Sequence, residues 1–204
     1  MRKFIVIILA IFLSGCASLI QRAAPPPPPR AKIVSHYLPW AQRKVQLNAL
    51  QNFRANGNLA VHATSGRGVN ASFSWEQHHH TYQLSFFGPL GTQSTVLTGN
   101  PSQVCLTTHQ QTYTAQNPER LLQDQLGLNL PVSQLYYWLR GLPAPQSRYT
   151  TNLDAFNRIM QLRQSGWRVI YKHFTNIGKI DLPDRIEMSN CQWQVRIVIN
   201  HWDI

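Results

Sequence analysis

The chain has 204 residues, of which 43% are hydrophobic and 13% charged, and its 19 Lys and Arg against 8 Asp and Glu give a formal charge of +11. So few carboxylates leave no convincing acid–base pair. There is also no Gly-x-Ser-x-Gly elbow and no Gly-rich phosphate loop, so catalysis is the class the composition supports least.

The first residues read as an export signal. Arg2 and Lys3 form a positive n-region, and Phe4 to Leu13 form an uncharged apolar run that is shorter than the roughly 20 residues a membrane-spanning helix needs. The run ends in Leu13-Ser14-Gly15-Cys16. This is a bacterial lipobox, in which small residues admit the chain to the signal peptidase and the Cys thiol takes a diacylglycerol. Residues 1–15 are therefore expected to be removed, with Cys16 as the lipid-attachment site and the covalent lipid as the only non-protein group. Ala17 and Ser18 follow, with no Asp behind the Cys, which by the sorting rule favours the outer membrane. Residues 16–34 form the lipidated N-terminus and a linker, whose Pro25 to Pro29 run is extended and semi-rigid. Without Arg2 and Lys3 the charge is +9. An exported lipoprotein meets little nucleic acid, so anionic headgroups, lipopolysaccharide or an acidic protein are the expected counterparts.

Residues 35–204 suffice for one domain with a sizeable core. Trp40, Leu47, Leu50 and Phe53 fall at intervals of seven, three and three, which predicts a helix entered at Pro39 with Arg43 and Lys44 off its apolar stripe. From Gly57 the period becomes two. Leu59, Val61 and Ala63 share a face, Gly66-Arg67-Gly68 marks a turn, and Val69, Ala71, Phe73 and Trp75 share the next face. A turn over His78 to His80 leads to Tyr82, Leu84 and Phe86. Val96-Leu97 and Val104 to Thr107 continue this antiparallel meander. Asn117-Pro118-Glu119 is a helix N-cap with Pro and an acid in the first turn, and Gly127 closes that helix. Pro131 to Arg140 predicts a second short helix ending at Gly141. Strand periodicity then returns at Trp167, Val169 and Tyr171, at Ile186 and Met188, and at Val195, Ile197 and Ile199. The expected class is mainly β (α+β), a curved antiparallel sheet whose concave face is covered by short helices. The inward aromatics fit two readings, the filling of a dry core or the lining of an apolar pocket.

Three features are read as structural. His78-His79-His80 is a polar hairpin tip, because adjacent strand residues face opposite ways and no Cys or carboxylate accompanies them; no metal site is predicted. Asp181 and Asp184 flank Leu182-Pro183 and read as solvated turn residues, and Arg140, Arg158 and Arg163 read as solvated surface cations. Cys105 and Cys191 are either a disulfide or, more in keeping with small hydrophobes, two buried thiols.

The order of short motifs resembles the LolB family of outer-membrane lipoprotein receptors. The features run from Trp40 to Trp202: Gly57, Phe73-Ser74-Trp75, Gly88-Pro89-Leu90-Gly91, Leu130-Pro131-Val132, Tyr137-Trp138-Leu139-Arg140-Gly141-Leu142-Pro143, Gly166-Trp167 with Val169 and Tyr171, Leu182-Pro183 and Trp202. The resemblance implies an unclosed, strongly curved antiparallel barrel with a helical lid over an apolar cavity. It also implies a monomeric receptor that takes acylated lipoproteins from the periplasmic carrier LolA and releases them into the outer membrane. Candidates for an acyl-chain site, by strand parity, are Phe73, Trp75, Leu84, Phe86, Trp138, Trp167, Val169 and Tyr171. Pro89 and Gly91 favour a tight turn that would push Leu90 outward, and the family's matching residue implies a membrane-insertion loop there. Two rivals stand beside this reading: a lipoprotein that binds a small apolar ligand or lipid, and a structural subunit of an envelope assembly.

Overall fold

The computed structural model describes residues 37–66, 68–88, 94–145 and 147–204. The lipobox with Cys16, the linker and the Pro89-Leu90-Gly91 turn lie outside the described residues. Eleven antiparallel strands form one sheet: β1 (Asn52–Ala63), β2 (Gly68–His78), β3 (Thr81–Phe87), β4 (Ser94–Gly99), β5 (Val104–Thr107), β6 (Thr112–Ala115), β7 (Tyr149–Leu153), β8 (Ile159–Gln164), β9 (Trp167–Ile177), β10 (Ile180–Ser189) and β11 (Trp193–Asp203). Their order is β6-β5-β4-β3-β2-β1-β11-β10-β9-β8-β7. The sheet curls on itself without closing, because β6 and β7 are its two edges. Among the described residues three helices accompany it, α1 (Trp40–Ala49), α2 (Pro118–Leu126) and α3 (Val132–Trp138). Since α2 and α3 connect β6 to β7, the chain crosses between the edges as helix, and Leu121, Leu122, Val132, Leu135 and Trp138 join the core.

The long strands show the expected alternation. Phe53, Ala55, Leu59 and Val61 on β1 and Phe73 and Trp75 on β2 point inward, as do Val195, Ile197 and Ile199 on β11. β1 is the spine, paired along its length with β2 and with β11. Gly57 sits at a register shift between β1 and β11, where a Cβ would lie 2.0 Å from the carbonyl oxygen of Val198. Only glycine lets the two backbones approach this closely.

The hairpins divide between two ends of the barrel. One end holds the β1–β2, β5–β6, β8–β9 and β10–β11 turns and the exit of β3 at Gly88; the other holds the β2–β3, β4–β5, β7–β8 and β9–β10 turns and the entry from α1.

Several expectations need correction. The first helix stops at Ala49 and Phe53 belongs to β1: Leu50 leaves the helical region at ψ 87, so its spacing from Phe53 mimicked one more helical turn. Arg43 is not off the packed face but among the two buried residues of α1. Leu182-Pro183 is not a turn but lies inside β10, where the ladder to β9 shifts register after Pro183. A proline without an N–H is tolerated at such an irregularity. Strands β6, β7 and β8 were not anticipated. Cys105 and Cys191 are both free, and Cys191 is exposed rather than buried.

Candidate functional site

Between the sheet and the helical cover lies a cavity lined by Leu59, Phe73, Trp75, Leu84, Phe86, Leu130, Leu135, Leu139 and Ile197. Cross-strand pairing assembles it, since Phe73 faces Phe86 and Trp75 faces Leu84 across β2–β3, and Leu59 faces Ile197 across β1–β11. Leu135 on α3, with Leu130 and Leu139 flanking that helix, supplies the roof. Every lining side chain is apolar apart from the indole nitrogen of Trp75, which points away to Gln77 Oε1 at 3.0 Å. The free volume is about 10 Å³, room for roughly one water.

Four of the eight candidates for the acyl-chain site, Phe73, Trp75, Leu84 and Phe86, therefore meet at this cavity. Trp138, Val169 and Tyr171 are buried but do not line this cavity, and they sit in the part of the core nearer β8–β10. There the Trp138 indole N–H donates to Gln164 Oε1 at 2.9 Å, and the Tyr171 hydroxyl donates to the Trp138 carbonyl at 2.9 Å. Burial raises the Tyr171 pKa far above the ordinary tyrosine value, so it stays a donor. Trp167 lies at the barrel rim beside the β8–β9 turn. Leu59, Leu130, Leu135, Leu139 and Ile197 were missed as lining residues. The parity of Leu59 and Ile197 could have marked them, whereas the placement of the helical residues depends on how the cover docks.

Two buried glutamines organise the indoles. Gln77 accepts from Trp75 and donates to the carbonyls of His79 and Thr81 at 2.8 and 3.0 Å, which fixes the β2–β3 turn. Gln164 accepts from Trp138 and from the Ala144 N–H, and donates to the carbonyls of Ala144 and Ser147. Each Trp thereby keeps its polar atom satisfied while the ring packs as hydrocarbon.

The cover is tied by charge. The Asn117 side chain accepts from the Arg120 N–H at the start of α2, and Glu119 Oε1 accepts from the Ser133 N–H at 2.7 Å, so the first turn of α2 caps α3. Arg140, expected at the surface, is 1% exposed. Its Nη1 donates to the carbonyls of Leu47 and Leu50 at 3.0 and 2.7 Å, and its Nε to that of Tyr136 at 3.0 Å. The guanidinium lies 4.1 Å from the Tyr136 ring centre. It supplies the cation and donors that the C-terminus of α1, with no basic residue of its own in the last turn, otherwise lacks. Burial lowers its pKa, opposed by Tyr136 and Tyr137.

A second buried network joins α1 to the β7–β8 and β9–β10 turns at its own end of the barrel. Asp181, expected to be solvated, is buried and accepts from Arg43 Nη2 at 3.4 Å and from Asn176 Nδ2 at 2.9 Å, with Arg158 Nη1 at 3.9 Å. Arg158, also expected to be solvated, is mostly covered and pairs with Asp154 at 2.7 Å. Arg163 is exposed, as expected. Asp184 is partly exposed and contacts His173 Nδ1 at 2.7 Å.

His78 to His80 occupy the exposed tip of the β2–β3 hairpin. Among the described residues no helix is long and apolar enough to cross a membrane.

A sequence model of the family described as outer membrane lipoprotein LolB matches residues 51–202. An outer-membrane lipoprotein LolB of Coxiella burnetii is 34% identical over 194 residues, covering 95% of this chain and 89% of the relative. One from Pseudomonas savastanoi pv. phaseolicola is 37% identical over 203 residues, covering 99% and 96%. Among solved structures, a LolA superfamily protein from Nitrosomonas europaea superposes with a TM-score of 0.52 at 11% identity, covering 82% of this chain and 94% of that one. That likeness concerns the fold, a curled open sheet with short helices.

Proposed function

This chain belongs to the family of the outer-membrane lipoprotein LolB, and from that membership we propose that it is the receptor that takes acylated lipoproteins from the periplasmic carrier LolA and places them in the outer membrane. The observation that carries the reading is the apolar cavity between the sheet and α3. Each methylene moved out of water is worth about 0.8 kcal/mol, so a long acyl chain left exposed costs on the order of 10 kcal/mol. The chain must therefore pass directly from one apolar cavity to another. Nothing in the sequence resembles a nucleotide site, so direction comes from differential affinity between the carrier, this protein and the bilayer.

The cavity has room for about one water, so an acyl chain enters as the roof formed by Leu130, Leu135 and Leu139 shifts outward. The same aromatics and leucines then exchange contacts with one another for contacts with lipid. Diacylated Cys16 holds the body at the membrane, and Leu90 dips into the bilayer during release. Burying one leucine contributes about 1.5–3 kcal/mol, enough to bias a transient insertion but too little to anchor the protein.

A transfer assay tests this. The carrier is loaded with an acylated lipoprotein, the anchored protein is added in liposomes, and cargo is followed into the membrane. Wild type should accept and deliver, whereas Leu90→Glu should accept and deliver poorly. A wild type that takes no cargo would reduce the protein to a lipid-binding or structural lipoprotein.

A further inference from the structure

The β8–β9 hairpin carries an arrangement that neither packing nor acyl-chain binding requires. Arg163 and Arg168 are directly opposite each other across its two strands. Like charges so placed repel, with Cβ atoms about 5 Å apart. Both are exposed, and neither forms an ion pair among the described residues. The single neutral contact is Arg168 Nε to Gln161 Oε1 at 3.2 Å. The two arginines border a depression of about 540 Å³ to which Arg148 adds a third guanidinium; its other lining residues include Ser165, Ser189 and Asn190 but no carboxylate. In a chain that elsewhere couples most of its few acids to arginines, three arginines around one hollow without an acid leave a site whose missing component is an anion.

We infer that the hollow framed by Arg148, Arg163 and Arg168 binds the phosphate of an anionic phospholipid headgroup and orients the barrel's β8–β9 end against the membrane. A phosphate oxygen pair matches the planar guanidinium fork, and one phosphate can bridge two guanidinia whose repulsion it relieves. Position favours a lipid over an acidic protein. The hollow lies at the barrel end where β3 leaves the sheet at Gly88, and its rim carries Tyr149, 40% exposed, the kind of amphipathic ring that settles at headgroup depth. The inference rests on the membership in an outer-membrane lipoprotein family, but not on cargo transfer.

The test uses the mature chain with Cys16→Ser, so that no acyl anchor masks the interaction. Sedimentation is measured with vesicles of phosphatidylethanolamine and phosphatidylglycerol, and with vesicles of phosphatidylcholine alone. Wild type should bind the first, release with added salt and ignore the second. Arg163→Gln with Arg168→Gln should weaken binding about thirtyfold, as expected for two basic residues at an anionic surface. Lys44→Gln with Arg120→Gln removes the same charge from exposed helical positions on α1 and α2 and should change it little. Equal binding by wild type and the hairpin variant, or an equal loss in the helical variant, overturns the inference. So does a hairpin variant that keeps vesicle binding but no longer takes cargo from the carrier, which would make the hollow a protein-docking surface. If wild type binds vesicles through the hairpin but accepts no cargo in the transfer assay, the headgroup site stands and the receptor reading falls.

Discussion

Asp181 and Asp154 lie at the barrel end that receives α1, and arginines surround both. Asp181 is enclosed by Arg43, Arg158 and Asn176. Removing one charge from a buried network leaves the others without compensation, which typically costs about 3–5 kcal/mol. Asp181→Asn is therefore expected to lower unfolding stability by about 3 kcal/mol, read from the urea midpoint at unchanged slope. Asp154 behaves differently with pH. Partial burial pushes its pKa up, but hydrogen bonds from the backbone and side chain of Arg158 and from the Phe156 N–H outweigh that and hold it below the ordinary aspartate value. A depressed folded-state value means stabilisation that is present above the unfolded pKa and is lost as pH falls through the folded one. The stability difference between wild type and Asp154→Asn should thus be full near neutrality and shrink as the solution is taken below about pH 4. The Arg43–Asp181 contact was not legible in the sequence, because the two residues are 138 positions apart, and the burial of Arg158 beside Asp154 was not, because a buried ion pair has the composition of a solvated one.

Among the elements, those that repeat a simple period were legible. β1, β2 and β11 each alternate a buried and a more open face, whereas β3 buries Leu84, Ser85 and Phe86 in a row although its apolar residues still alternate; α2 announces itself through Asn117-Pro118 and through Gly127, whose φ of 66 places it in the left-handed region. β7 and β6 were not legible: neither short edge strand carries a fully buried residue, and the alternation of β6 repeats only twice, at Tyr113 and Ala115, too briefly to mark a strand. Short polar edges also resist pairing with another sheet. The candidate site was half legible for a related reason: strand parity places Phe73, Trp75, Leu84 and Phe86, but only docking of α3 selects which inward residues face empty space. That docking depends on Arg140, which bridges the end of α3 to the last carbonyls of α1. Arg140→Met should cost roughly 3 kcal/mol, since hydrogen bonds to a charged group contribute about 1.5–3 kcal/mol. Arg140→Lys should recover little of it, because an ammonium cannot present the same planar fork to several carbonyls. Denaturant unfolding of the two variants beside wild type checks both statements.

For the whole molecule, the ends of the barrel are not equivalent. The described residues begin at Tyr37, and the Leu38 carbonyl is held by Asn157 Nδ2 at 3.0 Å, at the β7–β8 turn. The end proposed to meet the membrane, with Gly88 and the β8–β9 hairpin, is the opposite one. A lipid on Cys16 would therefore moor the protein by its far pole, and the approach of the working pole is a question of leash length. About 20 residues separate Cys16 from Tyr37, a contour of about 70 Å, against about 40 Å for the 12-residue β1. Extended to that contour, a leash of this length would let the barrel touch the bilayer with either pole. Cutting out residues 21–32 would leave about 28 Å, less than the barrel's height. Such a protein should still take cargo from the carrier in solution but deliver it slowly, and restoring the length with a Gly/Ser segment should restore delivery. The proline run would then matter as reach, which a transfer assay on the shortened and refilled chains would measure directly.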